Sequence, residues 1–229
     1  MRILKFFLAL LLLPVLYFVL VQTGIVLLHV FSHLRMVISF ASGAAVYALI
    51  HYKWYDFSRM YVFMHEMTHA LAALCCGSRI RGMRVGKDSG YVKMDKTNTF
   101  IVLAPYFVPG YVLFVAAVYI MAGLFVDMAP WRQVFLFLIG FFTAFHFIQT
   151  FKTLWEADQP DLKLAGGKTF SIITITLVNL LVLVGVLKGL FPEEVSLRVT
   201  GENIVKNTVQ GGRFLVHYII EIWHWVQTV

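Results

Sequence analysis

The sequence predicts an all-α polytopic membrane protein with about six transmembrane helices and one small β-hairpin, and three observations carry that expectation. Hydrophobic residues make up 60% of the 229-residue chain and charged ones only 14%, against about 45–50% and about 25% in soluble domains. Apolar runs of about 20 residues, the length one crossing requires, recur along the chain. Residues 77–99 break that pattern with glycine, charge and short alternating segments. A soluble globule with its own aqueous surface is excluded.

The elements follow in chain order. Met1 to Lys5 is basic and runs into an apolar stretch from Phe6 to about Val30, too long for a signal-peptide core and without an Ala-x-Ala cleavage site, so it reads as a retained first span. A second span runs from about Met36 to Tyr52. It ends in His51-Tyr52-Lys53-Trp54-Tyr55-Asp56-Phe57, whose aromatic and polar mixture suits a membrane interface. Ser58 to Cys76 is helix-compatible and long enough to cross, yet holds His65, Glu66 and His69 near its middle. An uncompensated charge there costs about 2.5–3.5 kcal/mol on insertion scales. Gly77 to Thr99 reads as a hairpin turning at Lys87-Asp88-Ser89-Gly90.

Phe100 to Val126 is apolar but interrupted by Pro105 and Pro109, each lacking a backbone donor, so its helix is expected to kink or to begin after Pro109. Trp131 to about Phe151 is a fifth span and Phe170 to Phe191 a sixth. Between them, Lys152 to Lys168 is polar and carries Glu156, Asp158 and Asp161 before Gly166-Gly167. The predicted organisation is a membrane-embedded domain over 1–191, with its core at 58–191, and a more polar tail over 192–229. The aromatic end of that tail, Phe214 to Trp225, suits an interfacial helix.

Nineteen Lys and Arg against twelve Asp and Glu give a net charge of +7. In such a chain the excess is loop charge that orients helices and touches anionic lipid, and nucleic acid is not needed to explain it. Six Lys and Arg in 77–99 and three in 152–168 argue that this side is cytoplasmic, while Arg2 and Lys5 argue the opposite for six spans. The two cysteines, Cys75 and Cys76, are adjacent and define no disulfide framework.

The chemistry concentrates in His65-Glu66-Met67-Thr68-His69, the spacing in which two histidines and an intervening glutamate serve a zinc hydrolase. At 3.6 residues per turn the two imidazoles lie about 40° apart around a helix and one turn apart along it, within reach of one ion. Glu66 falls on an adjacent face, placed to accept a proton from a bound water instead of ligating. With eight His and six Glu in the chain, chance alone yields this pattern about 0.007 times. A catalytic zinc takes three protein ligands, so one more must come from elsewhere. His146 and the acidic group at 156–161 are the candidates, and a carboxylate is favoured because Zn²⁺, one Asp and Glu66 then sum to zero charge.

A membrane-embedded His-Glu-x-x-His helix followed by a short hairpin and a later acidic segment resembles the site-2 protease family of intramembrane zinc metalloproteases. The resemblance covers Ser58 to Phe191 and implies a third ligand supplied by an Asp, in that family usually within Leu-Asp-Gly on a later helix. The matching segment here is Asp158-Gln159-Pro160-Asp161-Leu162-Lys163-Leu164-Ala165-Gly166-Gly167, in which neither Asp is followed by Gly. Of the two, Asp161 is preferred over Asp158, since it follows Pro160 and can start a helix and project inward. Many relatives carry a PDZ module, which residues 77–99 are too short to hold.

The resemblance thus implies one zinc per chain held by His65, His69 and Asp161, with Glu66 as the base in the hydrolysis of transmembrane or membrane-associated protein substrates. Its implied setting is the cell inner or plasma membrane, with a regulatory membrane partner as a further expectation. Two other classes compete: a non-proteolytic metalloprotein, such as a haem carrier pairing His65 or His69 with His146, and an inactive scaffold. Glu66 argues against haem, which has no use for an acid beside its ligand. His146 reads as a packing or outer-shell residue, and His29, His33, His51, His217 and His224 as interfacial.

Overall fold

The computed structural model describes residues 2–87, 89–156 and 159–228. Helices α1 (Arg2–Val30), α2 (Leu34–Lys53) and α3 (Ser58–Cys75) precede strands β1 (Ile80–Val85) and β2 (Gly90–Met94). Helices α4 (Thr99–Leu103), α5 (Gly110–Ala122), α6 (Arg132–Glu156), α7 (Pro160–Ala165), α8 (Lys168–Leu190) and α9 (Leu197–Thr228) follow. Two compact units emerge, one of residues 33–171 and one of 1–32 with 172–229.

Among the described residues four helices are long and apolar enough to cross a membrane: Ile3–Val30, Leu34–Lys53, Ala129–Trp155 and Lys168–Leu190. A bent pair, Thr99–Tyr106 with Gly110–Ala122, makes a fifth if counted as one broken span. The expected count of about six is therefore reached only in part. Helix α3 falls short because Arg59, His65, Glu66 and His69 dilute its apolar character.

The interruption expected at the prolines is present. Helix α4 passes through a 3-10 turn over Ala104–Tyr106, and the chain bends by 75° before α5 begins at Gly110. Proline supplies no amide hydrogen, so neither Pro105 nor Pro109 can continue the ladder.

In the unit of residues 33–171, α2 and α6 pack along their length, and they meet at glycines. A Cβ at Gly43 would overlap the carbonyl oxygen of Phe137, and one at Gly140 that of Phe40. Only glycine lets the two backbones approach so closely. Tyr47, Tyr61 and Phe145, from α2, α3 and α6, form a buried aromatic cluster beside this crossing.

Helix α3 ends in a Schellman arrangement. Gly77 adopts φ +71, its N–H donates to Leu74 O over 3.0 Å, and Ser78 N–H donates to Ala73 O over 2.9 Å. That reversal folds the hairpin back against the helix. The Ser78 hydroxyl donates to Lys96 O at 2.8 Å and accepts from Lys96 N–H at 3.0 Å, tying the start of the hairpin to its end. Strands β1 and β2 pair antiparallel from Val85↔Gly90 to Ile80↔Met94, with a bulge at Arg81. The Arg81 guanidinium grips Asp95 through two bonds of 2.7 and 2.9 Å.

In the other unit, α9 runs over 32 residues and packs against α1. The helix expected only at the aromatic end of the tail begins earlier, at Leu197.

Candidate active site

The α3 backbone presents His65, Glu66 and His69 to one side, where the hairpin, the broken span and α7 converge. Helix α7 starts at Pro160, whose missing N–H is an orphan at that position in any case, and Asp161 stands in its first turn. Its carboxylate reaches back to α3: Oδ2 lies 3.4 Å from His65 Nε2 and 3.3 Å from His69 Nε2. The three residues offer one ligand atom each within 4.8 Å of one another.

A tetrahedral ion with bonds of about 2.0–2.1 Å keeps its ligand atoms about 3.3–3.4 Å apart. The two His–Asp separations match that spacing, and two imidazoles with one carboxylate are a donor set whose chemistry suits zinc. His69 is also held in the required tautomer. Its Nδ1 donates to Ile101 O over 2.9 Å, so Nε2 is the nitrogen that faces Asp161 and, in the neutral ring, the one whose lone pair an ion would take. His65 Nδ1 is buried and has no hydrogen-bond partner among the described residues, and its ring lies edge-on to Tyr106 at 5.0 Å.

Glu66 is buried, with 6% of its surface exposed, and the hairpin closes over it. A Cβ at Gly90 would lie 2.6 Å from Glu66 Cγ and 2.9 Å from Oε1. The absent side chain at position 90 therefore leaves the space the carboxylate occupies.

These residues line a cleft of about 970 Å³. Residues of strand β2 line it, as do Asp56, Tyr61, Gln149 and Lys152. Lys152 Nζ donates to Asp56 Oδ2 at 3.2 Å, and Ser58 N–H and Oγ–H both donate to Oδ1. Partial burial pushes the Asp56 carboxyl up, but the Ser58 and Lys152 hydrogen bonds and the Lys152 charge together hold it below the usual carboxylate range.

All four residues singled out in the sequence thus come together. His146 is buried in α6 outside the three-residue group, and Asp158 lies outside the described residues. Sequence reasoning did not find Ile101, Tyr106 or Gly90 as parts of the site. The only signal for Tyr106 is a hydroxyl beside Pro105 in an otherwise apolar run, and Gly90 read simply as a turn residue.

The apolar helical fold carries a His-His-Asp group, with His69 buried and His65 and Asp161 half-buried, beside a buried glutamate, an arrangement that suits a membrane metalloprotease. A family model described as Peptidase M50B-like matches residues 38–156, more than half of the chain, and the protein belongs to that family, a site-2 protease family. The match ends before Asp161. Searches of the curated proteins and of the solved structures returned no match.

Proposed function

We propose that the protein is a zinc-dependent intramembrane endopeptidase, with one ion per chain, that hydrolyses peptide bonds of transmembrane or membrane-associated protein substrates within or near the bilayer. The observation that carries this reading is the approach of His65 Nε2 and His69 Nε2 to one oxygen of Asp161, at 3.4 and 3.3 Å, beside the Glu66 carboxylate. His65, His69 and Asp161 would hold the ion. Zinc bound there would acidify a water molecule and polarise the scissile carbonyl. Glu66 accepts the proton on its carboxylate and returns it to the leaving amine, the role that its nearness to the ligand pair and its shielding from bulk water suit.

Strand β2 pairs only with β1 among the described residues, and its residues line the cleft. An unwound substrate segment can add to its open edge through backbone hydrogen bonds, which place successive carbonyls past Glu66 without regard to side chains. Substrate choice then rests on the helices, the hairpin or a regulatory membrane partner.

Counting the broken pair as one span and adding α3 brings the number of crossings to six. The charges of α3 are tolerable at membrane depth because a divalent cation, Asp161 and Glu66 sum to zero. Residues 1–191 form the membrane domain in this reading and 192–229 the tail, in a multi-pass protein of the cell inner or plasma membrane.

The test is reconstitution in liposomes with a fluorogenic single-span substrate. Wild type should cleave it, a chelator should stop cleavage and added zinc should restore it. Glu66→Gln should keep one equivalent of zinc and cleave nothing. Equal cleavage by Glu66→Gln and wild type removes the proposed base.

A further inference from the structure

The broken span from Thr99 to Tyr106 reaches all three proposed ligands from behind. Ile101 O takes the Nδ1 proton of His69 at 2.9 Å. Tyr106 Oη donates to Asp161 Oδ2 at 3.0 Å, and the Tyr106 ring stands against His65 with an interplanar angle of 88°. A carboxylate only accepts, so the phenol is the donor.

Tyr106 is fully buried, at 0% exposure, in a chain that uses phenylalanine freely, with 21 of them. A phenylalanine would pack the same space without a polar atom. Burying a hydroxyl costs free energy unless it is bonded, so the hydroxyl is explained by what it touches. Its shorter contact, at 3.0 Å, is to the same oxygen that both histidines approach, and Gln159 Oε1 lies farther off at 3.5 Å. Asp161 sits in the first turn of a six-residue helix and could turn either oxygen toward α3. The phenol, on a rigid ring wedged at the bend, favours one orientation and adds no charge.

We propose that Tyr106 is a positioning residue that orients Asp161 for the metal. This rests on the proposed metal role of Asp161. Outer-shell partners of this kind change metal affinity by about 10–100-fold when removed.

The experiment is a double-mutant cycle on full-length protein in detergent, read by zinc affinity in competition with a chromophoric chelator. Tyr106→Phe should bind zinc about 10–100-fold more weakly than wild type, with an unchanged melting temperature, and Asp161→Ala more weakly still. The double variant should bind like Asp161→Ala alone, because the hydroxyl acts only through that carboxylate. Tyr111→Phe, which loses a hydroxyl bonded instead to Met60 O at 3.1 Å, should bind like wild type. Tyr106→Met, also without a donor, serves as the second variant and should match Tyr106→Phe.

The role of Tyr106 is overturned if Tyr106→Phe binds zinc within twofold of wild type. It is equally overturned if the loss is as large in the Asp161→Ala background, or if neither variant folds, which would make Tyr106 a packing residue of the bend. Wild type that binds no zinc overturns the proposed function itself, a different result from wild-type binding with an indifferent Tyr106→Phe.

Discussion

His69 Nδ1 donates to the carbonyl oxygen of Ile101 across 2.9 Å, and that one bond fixes which ring nitrogen faces Asp161. The two residues are 32 positions apart, on the helix that bears the motif and on the interrupted span. A histidine anchored in this way needs no reorganisation to offer its lone pair.

Metal content should follow the geometry residue by residue. Zinc measured by atomic emission should stand near one equivalent in wild type and fall far below it in His65→Ala, His69→Ala and Asp161→Ala, since each removes one of three converging atoms. Asp158→Ala should retain its zinc. A zinc-free Asp158→Ala beside a loaded Asp161→Ala would exchange the roles of the two acids.

Gly90→Ala tests how closely the hairpin closes on the base. The added methyl meets Glu66 Cγ and Oε1 and also Arg84 O, so either the carboxylate or the strand must shift. Displacing a catalytic group by about 1 Å can lower the rate by about 10²-fold. The expected result is a fall in kcat of that order with zinc content unchanged, and wild-type kcat in Gly90→Ala would show that the hairpin yields without moving Glu66.

The helix crossing gives a stability prediction. At Gly43 and Gly140 the obstacle to a side chain is backbone, Phe137 O and Phe40 O respectively, and no rotamer change relieves it. Gly43→Ala and Gly140→Ala should each destabilise the protein by about 1–3 kcal/mol, read as a lower midpoint in a denaturant titration in detergent. Gly185→Ala, where a Cβ meets nothing within 4 Å, should leave the midpoint in place.

Asp56 gives a prediction in pH. Its carboxyl is held below the usual carboxylate range by Ser58 and Lys152 in spite of some burial, so the bound proton is disfavoured in the folded state. The resulting stabilisation is present above the unfolded value of about 4 and disappears as pH falls through the lower folded value. With the Asp56 side chain 55% exposed, the effect is small. The stability difference between wild type and Asp56→Asn should therefore be modest at pH 7 and vanish in acid, whereas a difference growing in acid would contradict the assignment.

What was readable in the sequence is what local chemistry marks. His65, Glu66 and His69 announce themselves by spacing, the hairpin by glycine and alternation, and the break at residues 104–109 by two prolines. Asp161 was reachable because, of the neighbouring acids, it is the one directly after Pro160, where it can begin a helix and balance charge. The outer shell was not legible. Ile101 contributes a backbone carbonyl, which no side chain advertises, and Tyr106 meets Asp161 across 55 positions. The six-span count was reached only in part, because α3, with Arg59, His65, Glu66 and His69, is too polar to stand among the helices apolar enough to cross a membrane. The length of α9 was missed because Leu197 to Arg213 is polar enough to pass for a tail.

A transmembrane helix normally consumes every peptide group in its own ladder and has nothing to lend its surroundings. The 75° bend between Thr99–Tyr106 and Gly110–Ala122 ends that self-sufficiency. At the rupture a main-chain oxygen and a phenol become available to polar neighbours deep in an otherwise oily fold. Mending the bend by replacing both prolines would build a better membrane anchor and, on these contacts, a poorer seat for an ion.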